Sequence, residues 1–375
     1  MFTLRTKIAI AKGLLVKRSP IYVQYAVTGD CNLNCRICRS AESRNKERAL
    51  NLVEIGRLAA TLERLRVGIV VLTGGEPFLR SDLPEIIRKF SERGLTVRLQ
   101  TNGILATEDM IKRIIEAGLK EVTVSLDYLC ADKEREVTGD GGFWEKRIKA
   151  IILFSNLLPR RGAILGINTV VSRHNLKEIP KIIDFAKRIG FFNSLIPLHV
   201  SSGNEEFIIR NDAHDFSFRA CDYSDIDRLY ARIIEMKREG FNIYNSYRFL
   251  RESPEYLKYK KLYWKCASPH LYFAISPGGN FQPCIDIATS VSMLEDGFIR
   301  RFYSKEFKNY IANKVSNCPG CLYACWPEIS YLCNDISVFL ERLVLACKVL
   351  TINRRQIQHE DCLRLIHKIN ESYSH

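Results

Sequence analysis

The sequence predicts an α/β protein built on a parallel sheet, either open or closed part-way into a barrel. Three observations carry this. From residue 21 to about residue 200, six short runs rich in β-branched side chains alternate with helical patterns. Such alternation builds parallel strands joined by crossover helices. The unusual polar residues of this stretch fall at the ends of the runs, where sheets of this kind collect their chemistry.

The strands are expected over 21–28, 68–74, 96–102, 121–127, 164–171 and 194–200. Helical segments lie between them. Residues 82–94 open on Asp82 with Pro84 and close on Gly94; 107–118 have Thr107 as N-cap and Gly118 past the end; 175–190 form a third. Residues 205–262 read as helical and charged, with 251–265 as a connector. Two strand-like runs flank Pro277-Gly278-Gly279 within 270–284, which predicts a β-hairpin. The expected plan is a basic amphipathic helix (1–20), a main α/β domain (21–215), a helical connector (216–262), a small cysteine-rich domain of hairpin and helices (263–335) and C-terminal helices (336–375).

Apolar residues make up 46% of the chain and charged residues 26%, as in globular proteins generally. No secretory signal and no run long enough to span a bilayer is read, so a cytoplasmic location is expected. Thirteen cysteines in that setting argue for free or metal-binding thiols rather than a disulfide framework. The net charge is +14, and half of it lies in residues 1–50, where ten Lys or Arg face Asp30, Glu42 and Glu47. That bias suits an anionic partner or a solvated basic surface.

After the first strand, DCNLNCRICR places Cys31, Cys35 and Cys38 on one short loop. Thiolates select zinc or iron–sulfur clusters. A cubane cluster held by three cysteines leaves one iron open to another ligand. A zinc site with a distant fourth ligand and loose reduced thiols are the alternatives. After the second strand comes LTGGEP, in which Gly74 and Gly75 allow close backbone approach and Glu76 offers a carboxylate to a cationic group.

Together with LQTNG (99–103), SLD (125–127) and INTVVSRHN (167–175), these motifs resemble the radical S-adenosylmethionine (radical SAM) superfamily over roughly residues 21–200. The resemblance implies a partial (βα)6 TIM-like barrel. It also implies a 4Fe–4S cluster on Cys31, Cys35 and Cys38, with the amine and carboxylate of S-adenosylmethionine on the open iron. By matching position, Glu76 would hold the cofactor's amino group, with Gly74, Gly75, Asn102, Ser125, Asp127 and Asn168 as further cofactor contacts. The glycine-rich stretch of the family's fifth strand is reduced here to Ala163-Ile164-Leu165-Gly166.

Cys266, Gly279 and Cys284 are similar to the start of the SPASM/twitch extension that follows many such barrels. A hairpin brings its two ends together, and Cys318 and Cys321 would complete four thiolates around one auxiliary 4Fe–4S cluster. Cys325 follows sooner than the full pattern requires, so Cys325 and Cys333 are expected as competing ligands or outer thiols. A structural zinc site uses the same ligand types.

The implied activity is reductive cleavage of S-adenosylmethionine, with flavodoxin or ferredoxin as electron donor. The 5′-deoxyadenosyl radical so formed takes a hydrogen atom from a substrate between the barrel mouth and the C-terminal domain. A lipid or polyprenyl substrate is the first expectation, and a peptide or tetrapyrrole the alternative. An iron–sulfur electron carrier would need neither Gly-Gly-Glu at a strand end nor a substrate cavity, and a zinc-stabilised nucleic-acid binder would not need the barrel.

The lipid expectation rests on two basic amphipathic segments. Residues 2–18 set Leu4, Ile8, Ala11 and Leu15 on one helical face among Arg5, Lys7, Lys12, Lys17 and Arg18. In the tail, Val338, Leu345 and Ile352 recur every seven residues among Arg342, Lys348, Arg354 and Arg355. Such helices suit peripheral contact with the inner membrane face, or simple packing on the barrel.

Overall fold

The computed structural model describes residues 3–17, 19–38, 47–138, 142–200, 214–316, 318–352, 354 and 356–373. Arg18 and Arg355 lie outside them. Six strands follow the predicted runs: β1 (Tyr22–Thr28), β2 (Ile69–Gly74), β3 (Thr96–Thr101), β4 (Glu121–Ser125), β5 (Ile164–Val171) and β6 (Phe192–Pro197). They pair in parallel in sequence order, and the sheet curls into a partial barrel.

The hairpin of 270–284 is not a separate β unit. Its first strand, β7 (Tyr272–Ile275), pairs in parallel with β1, and β8 (Phe281–Gln282) pairs antiparallel with β7. The sheet therefore runs β6-β5-β4-β3-β2-β1-β7-β8. Phe273, Phe281, Phe298, Phe302 and Phe307 continue the main core beneath this extension.

Alternation along the strands sorts the side chains. Leu72, Leu99, Val124, Ile167 and Leu195 are fully covered, the first four in the core under the barrel helices. Their neighbours Thr73, Gln100, Thr123, Ser125, Asn168 and Ser194 keep some exposure. Strand residues two apart share a face, so this second set lines the concave side of the sheet. The lumen is polar and reachable from outside. Packed strand interiors are normally apolar, so this departure marks a binding space.

The C-terminal segment packs on the β1–β7 side of the sheet. Trp326, at the start of the Cys325–Asn334 helix, stacks on Tyr272 with ring centroids 4.7 Å apart and meets Tyr22 edge-on at 5.8 Å. At the bottom of the barrel Arg98 pairs with Glu121 across β3 and β4. No helix among the described residues is long and apolar enough to cross a membrane.

Candidate cofactor and iron–sulfur site

The three-cysteine loop leaves β1 at Thr28 and is bound to the end of β2 by its backbone. The N–H of Gly75 donates to Thr28 O (3.0 Å), and that of Glu76 to Asp30 O (2.8 Å). A Cβ on Gly75 would lie 1.9 Å from Asp30 O, and one on Gly74, at φ +136°, would lie 2.3 Å from Thr28 O. Both positions demand glycine because of this close approach to the loop's own backbone. Leu33 is buried beneath the loop, and its N–H donates to the Cys31 sulfur at 3.4 Å. The N–H of Cys38 donates to Cys35 O at 3.0 Å, so the last two cysteines share one turn.

Burial pushes the Cys31 thiol up, and Glu76 and Cys38 add to the effect. Burial likewise raises Cys35, to about 12, with Cys38 and Cys31 also disfavouring its thiolate and Arg147 favouring it. The three sulfurs thus lie within one another's field. A cation bound among them would reverse the balance, since ligating thiols are deprotonated. Three soft donors on one loop fit an iron–sulfur cluster with an open iron.

Glu76 is fully buried and faces inward. Its Oε1 accepts from the Phe78 N–H (3.0 Å) and Thr101 Oγ1 (2.7 Å), and its Oε2 accepts from the Asn102 N–H (2.7 Å). The carboxylate ties β2 to β3. Asn102 extends the tie, donating from Nδ2 to Asn32 Oδ1 in the cysteine loop at 2.9 Å. Ser125 stands exposed at the mouth, and Asn168 Nδ2 donates to Thr123 Oγ1 at 3.3 Å within the lumen. Asp127 Oδ1 accepts from the Val170 N–H at 2.7 Å; burial raises its carboxyl to about 6.

Arg147 escaped the sequence reading. It sits on the Phe143–Leu157 helix, nearly fully buried, paired with Glu134, and donates from Nε to Asn102 O at 3.1 Å. Its charge steadies Cys35, Glu76 and Asp127 together. One arginine in an otherwise ordinary amphipathic helix gives no motif to find.

The C-terminal cysteines divide. Cys266, Cys284, Cys318 and Cys321 lie within one another's field. Burial raises Cys284, and Asp286, Cys266 and Cys318 add to it; burial also raises Cys321, with Cys284, Asp286 and Cys266 adding. Cys325 is set apart. Its sulfur accepts from Gln24 Nε2 at 3.6 Å, on the lumen side of β1, and burial lifts its thiol to about 12. Cys333 is buried beside Lys17. Among the described residues, no three Cys, His, Asp or Glu side chains close on one point at ligand distance. A metal would draw each set of thiols together.

His199, at the end of the β6 segment, holds the CxxC loop against the barrel. Its Nε2 accepts from the Leu322 N–H at 2.8 Å, and its ring stacks on Tyr323 with centroids 3.7 Å apart. Trp264 Nε1 donates to Cys321 O at 2.9 Å from the other side.

A barrel with a thiol-rich loop after its first strand, backed by Gly-Gly-Glu after its second, sets three soft metal-ligand side chains at the mouth of a sheet. Residues 25–186 match the model of the Radical SAM superfamily. The AdoMet-dependent heme synthase of Methanosarcina barkeri is 32% identical over 178 residues, covering 47% of this chain and 50% of that protein. The probable GTP 3',8-cyclase of Methanocaldococcus jannaschii is 34% identical over 178 residues, covering 46% and 57%. The chain therefore spans about half the length of these curated relatives. In fold it is similar to Streptococcus suis SuiB bound to S-adenosylmethionine (TM-score 0.60, 18% identity, 81% of this chain and 71% of that one). It is also similar to anSMEcpe with bound AdoMet and Cp18Cys peptide (TM-score 0.55, 17% identity, 94% and 99%).

Proposed function

We propose that the chain is a radical SAM enzyme with one auxiliary 4Fe–4S cluster. Cys31, Cys35 and Cys38 would hold the first cluster, and Cys266, Cys284, Cys318 and Cys321 the second. When bound, cluster and S-adenosylmethionine together supply a one-electron reductive cleavage that yields methionine and a hydrogen-abstracting 5′-deoxyadenosyl group. A flavodoxin or ferredoxin would be the reductant. The residues described above do the rest: the Gly74-Gly75 backbone and the Glu76 carboxylate fix the loop, and Arg147 balances the charge behind it. The Cys321–Asn334 segment packs on the β1–β7 side of the sheet.

The observation that carries the reading is the union of the three-thiol loop with a polar, reachable lumen. An electron carrier has no use for that space. Gln100, Thr123, Asn168 and Ser194 suit a substrate with hydrogen-bonding groups, such as the nucleotide, tetrapyrrole or peptide classes suggested by the relatives' names. A lipid or polyprenyl substrate would have to present its polar end. We extend the reading to peripheral association with an anionic membrane.

Anaerobic reconstitution tests the proposal. The expected result is a brown protein that forms 5′-deoxyadenosine from S-adenosylmethionine under a low-potential reductant. A colourless zinc protein without that activity would refute it.

A further inference from the structure

We propose that the bottom of the barrel, opposite its mouth, is a membrane-docking platform for anionic bilayers, so that the catalytic mouth faces the aqueous phase. This deepens the peripheral association proposed above. Two helices far apart in sequence cover that end. The Leu4–Val16 helix lies under β2 and β3: Thr6 Oγ1 donates to Gly68 O at 2.6 Å, just before β2, and pairs with Thr96 Oγ1, which begins β3, at 2.8 Å. The Ile336–Thr351 helix lies under β5 and β6. Arg342 Nη1 donates to Tyr244 O at 2.6 Å, and Tyr244 N–H donates to Asn193 O at the start of β6 (2.8 Å). At the other end of that helix, the Gly162 N–H donates to Val349 O at 3.4 Å just ahead of β5.

Each helix turns its small or buried side to the strands: Thr6, Ala9 and Gly13 in one, Val338 and Val349 in the other. Their outer sides therefore both face away from the barrel bottom, and both are apolar. Leu15 is 84% exposed, Leu4 74%, Leu340 54% and Val344 68%. The tail stripe is thus Ile336, Leu340, Leu343 and Val344, and the expected Val338 face is the buried one. The first helix ends against the Cys325–Asn334 helix that precedes the second, where Lys17 Nζ donates to Asn334 Oδ1 at 2.8 Å.

Charge selects the occupant. The first helix has no acidic residue, and the only one in the second, Glu341, is turned inward to Lys237 at 3.2 Å. Arg342 and Arg354 also face inward, to Glu328 and to Ala163 O. Lys7, Arg160 and Arg161 are exposed around the apolar stripes, and Lys12 is half-exposed. Exposed leucines ringed by unopposed cations match an interface of acyl chains beneath anionic headgroups. The cysteine loop lies at the other end of the strands, which places substrate entry away from the bilayer.

Flotation with phosphatidylcholine vesicles, with and without phosphatidylglycerol, tests this using the whole chain. Binding is expected only with the anionic lipid, and to weaken as salt is raised. Leu340→Glu with Val344→Glu, and separately Lys7→Glu with Lys12→Glu, should each lower the bound fraction about tenfold. Both variants should keep the wild-type melting temperature and S-adenosylmethionine cleavage, so a failure here is distinct from a failure of the radical reading. Equal recovery with both vesicle types would overturn the platform. So would a dimer in light scattering that Leu340→Glu with Val344→Glu dissociates while vesicle binding is absent.

Discussion

The carboxylate of Glu76 accepts the backbone N–H of Asn102 at 2.7 Å, joining the end of β2 to the end of β3 directly behind the cysteine loop. With Phe78 and Thr101 it takes three donors in a site closed to water. Glu76→Gln keeps the shape but turns an amide NH2 toward at least one of those donors. A buried donor left unpaired costs about 1–3 kcal/mol, more where the acceptor was charged. The variant is therefore expected to unfold at lower denaturant before any cofactor is added. An apoprotein as stable as wild type would remove the structural role.

Replacing Cys31, Cys35 and Cys38 together by Ala should remove about four irons per chain and abolish 5′-deoxyadenosine formation, leaving about four of an original eight. The loop is anchored by backbone bonds to Thr28 and Asp30, so the barrel should still fold. Iron assay and circular dichroism on the same sample decide. Persistent cofactor cleavage in the triple variant would sink the assignment.

Cys325→Ala separates two accounts of the tail. With its sulfur on Gln24 rather than among Cys266, Cys284, Cys318 and Cys321, it should leave the iron count unchanged. Loss of about four irons would make Cys325 a ligand after all.

Arg147 and Glu134 form a buried ion pair behind the site. Arg147→Met leaves Glu134 as a buried charge without its counterion and should cost about 3–5 kcal/mol. Adding Glu134→Leu should restore part of that. A double variant no more stable than the single would show that the pair contributes nothing as a pair.

The parts legible in the sequence were those set by local pattern. Strands β1 to β5 begin within a residue of expectation because runs rich in β-branched side chains mark them, and Thr107 caps its helix by accepting from the Met110 N–H. The loop cysteines and Gly-Gly-Glu were legible because spacing carries their chemistry. What was not legible depends on long-range pairing. Nothing local in Tyr272–Ile275 says that it joins β1 rather than forming its own sheet, nor that Glu76 points inward. The helix over Leu52–Arg64 was absent from the reading, although Asn51 and Glu54 make a capping box that marks its start.

The remaining test concerns His199, just past the end of β6. Its Nε2 accepts from the N–H of Leu322, a residue with no exposure, next to Cys321. This bond joins the barrel to the loop that carries Cys318 and Cys321, while Trp264 holds the same loop through Cys321 O. His199→Phe retains an aromatic face for Tyr323 and removes the Nε2 acceptor, leaving the Leu322 N–H buried without that partner at a cost of about 1–3 kcal/mol. That strain falls on the auxiliary loop and not on the Cys31 loop, which is anchored separately through Thr28, Asp30 and Asn32. Iron release to a chelator should therefore split into two phases in the variant, with the fast phase amounting to about four irons. The fast phase should vanish when Cys266, Cys284, Cys318 and Cys321 are already replaced. Release at the wild-type rate throughout would show that His199 does not position the auxiliary loop.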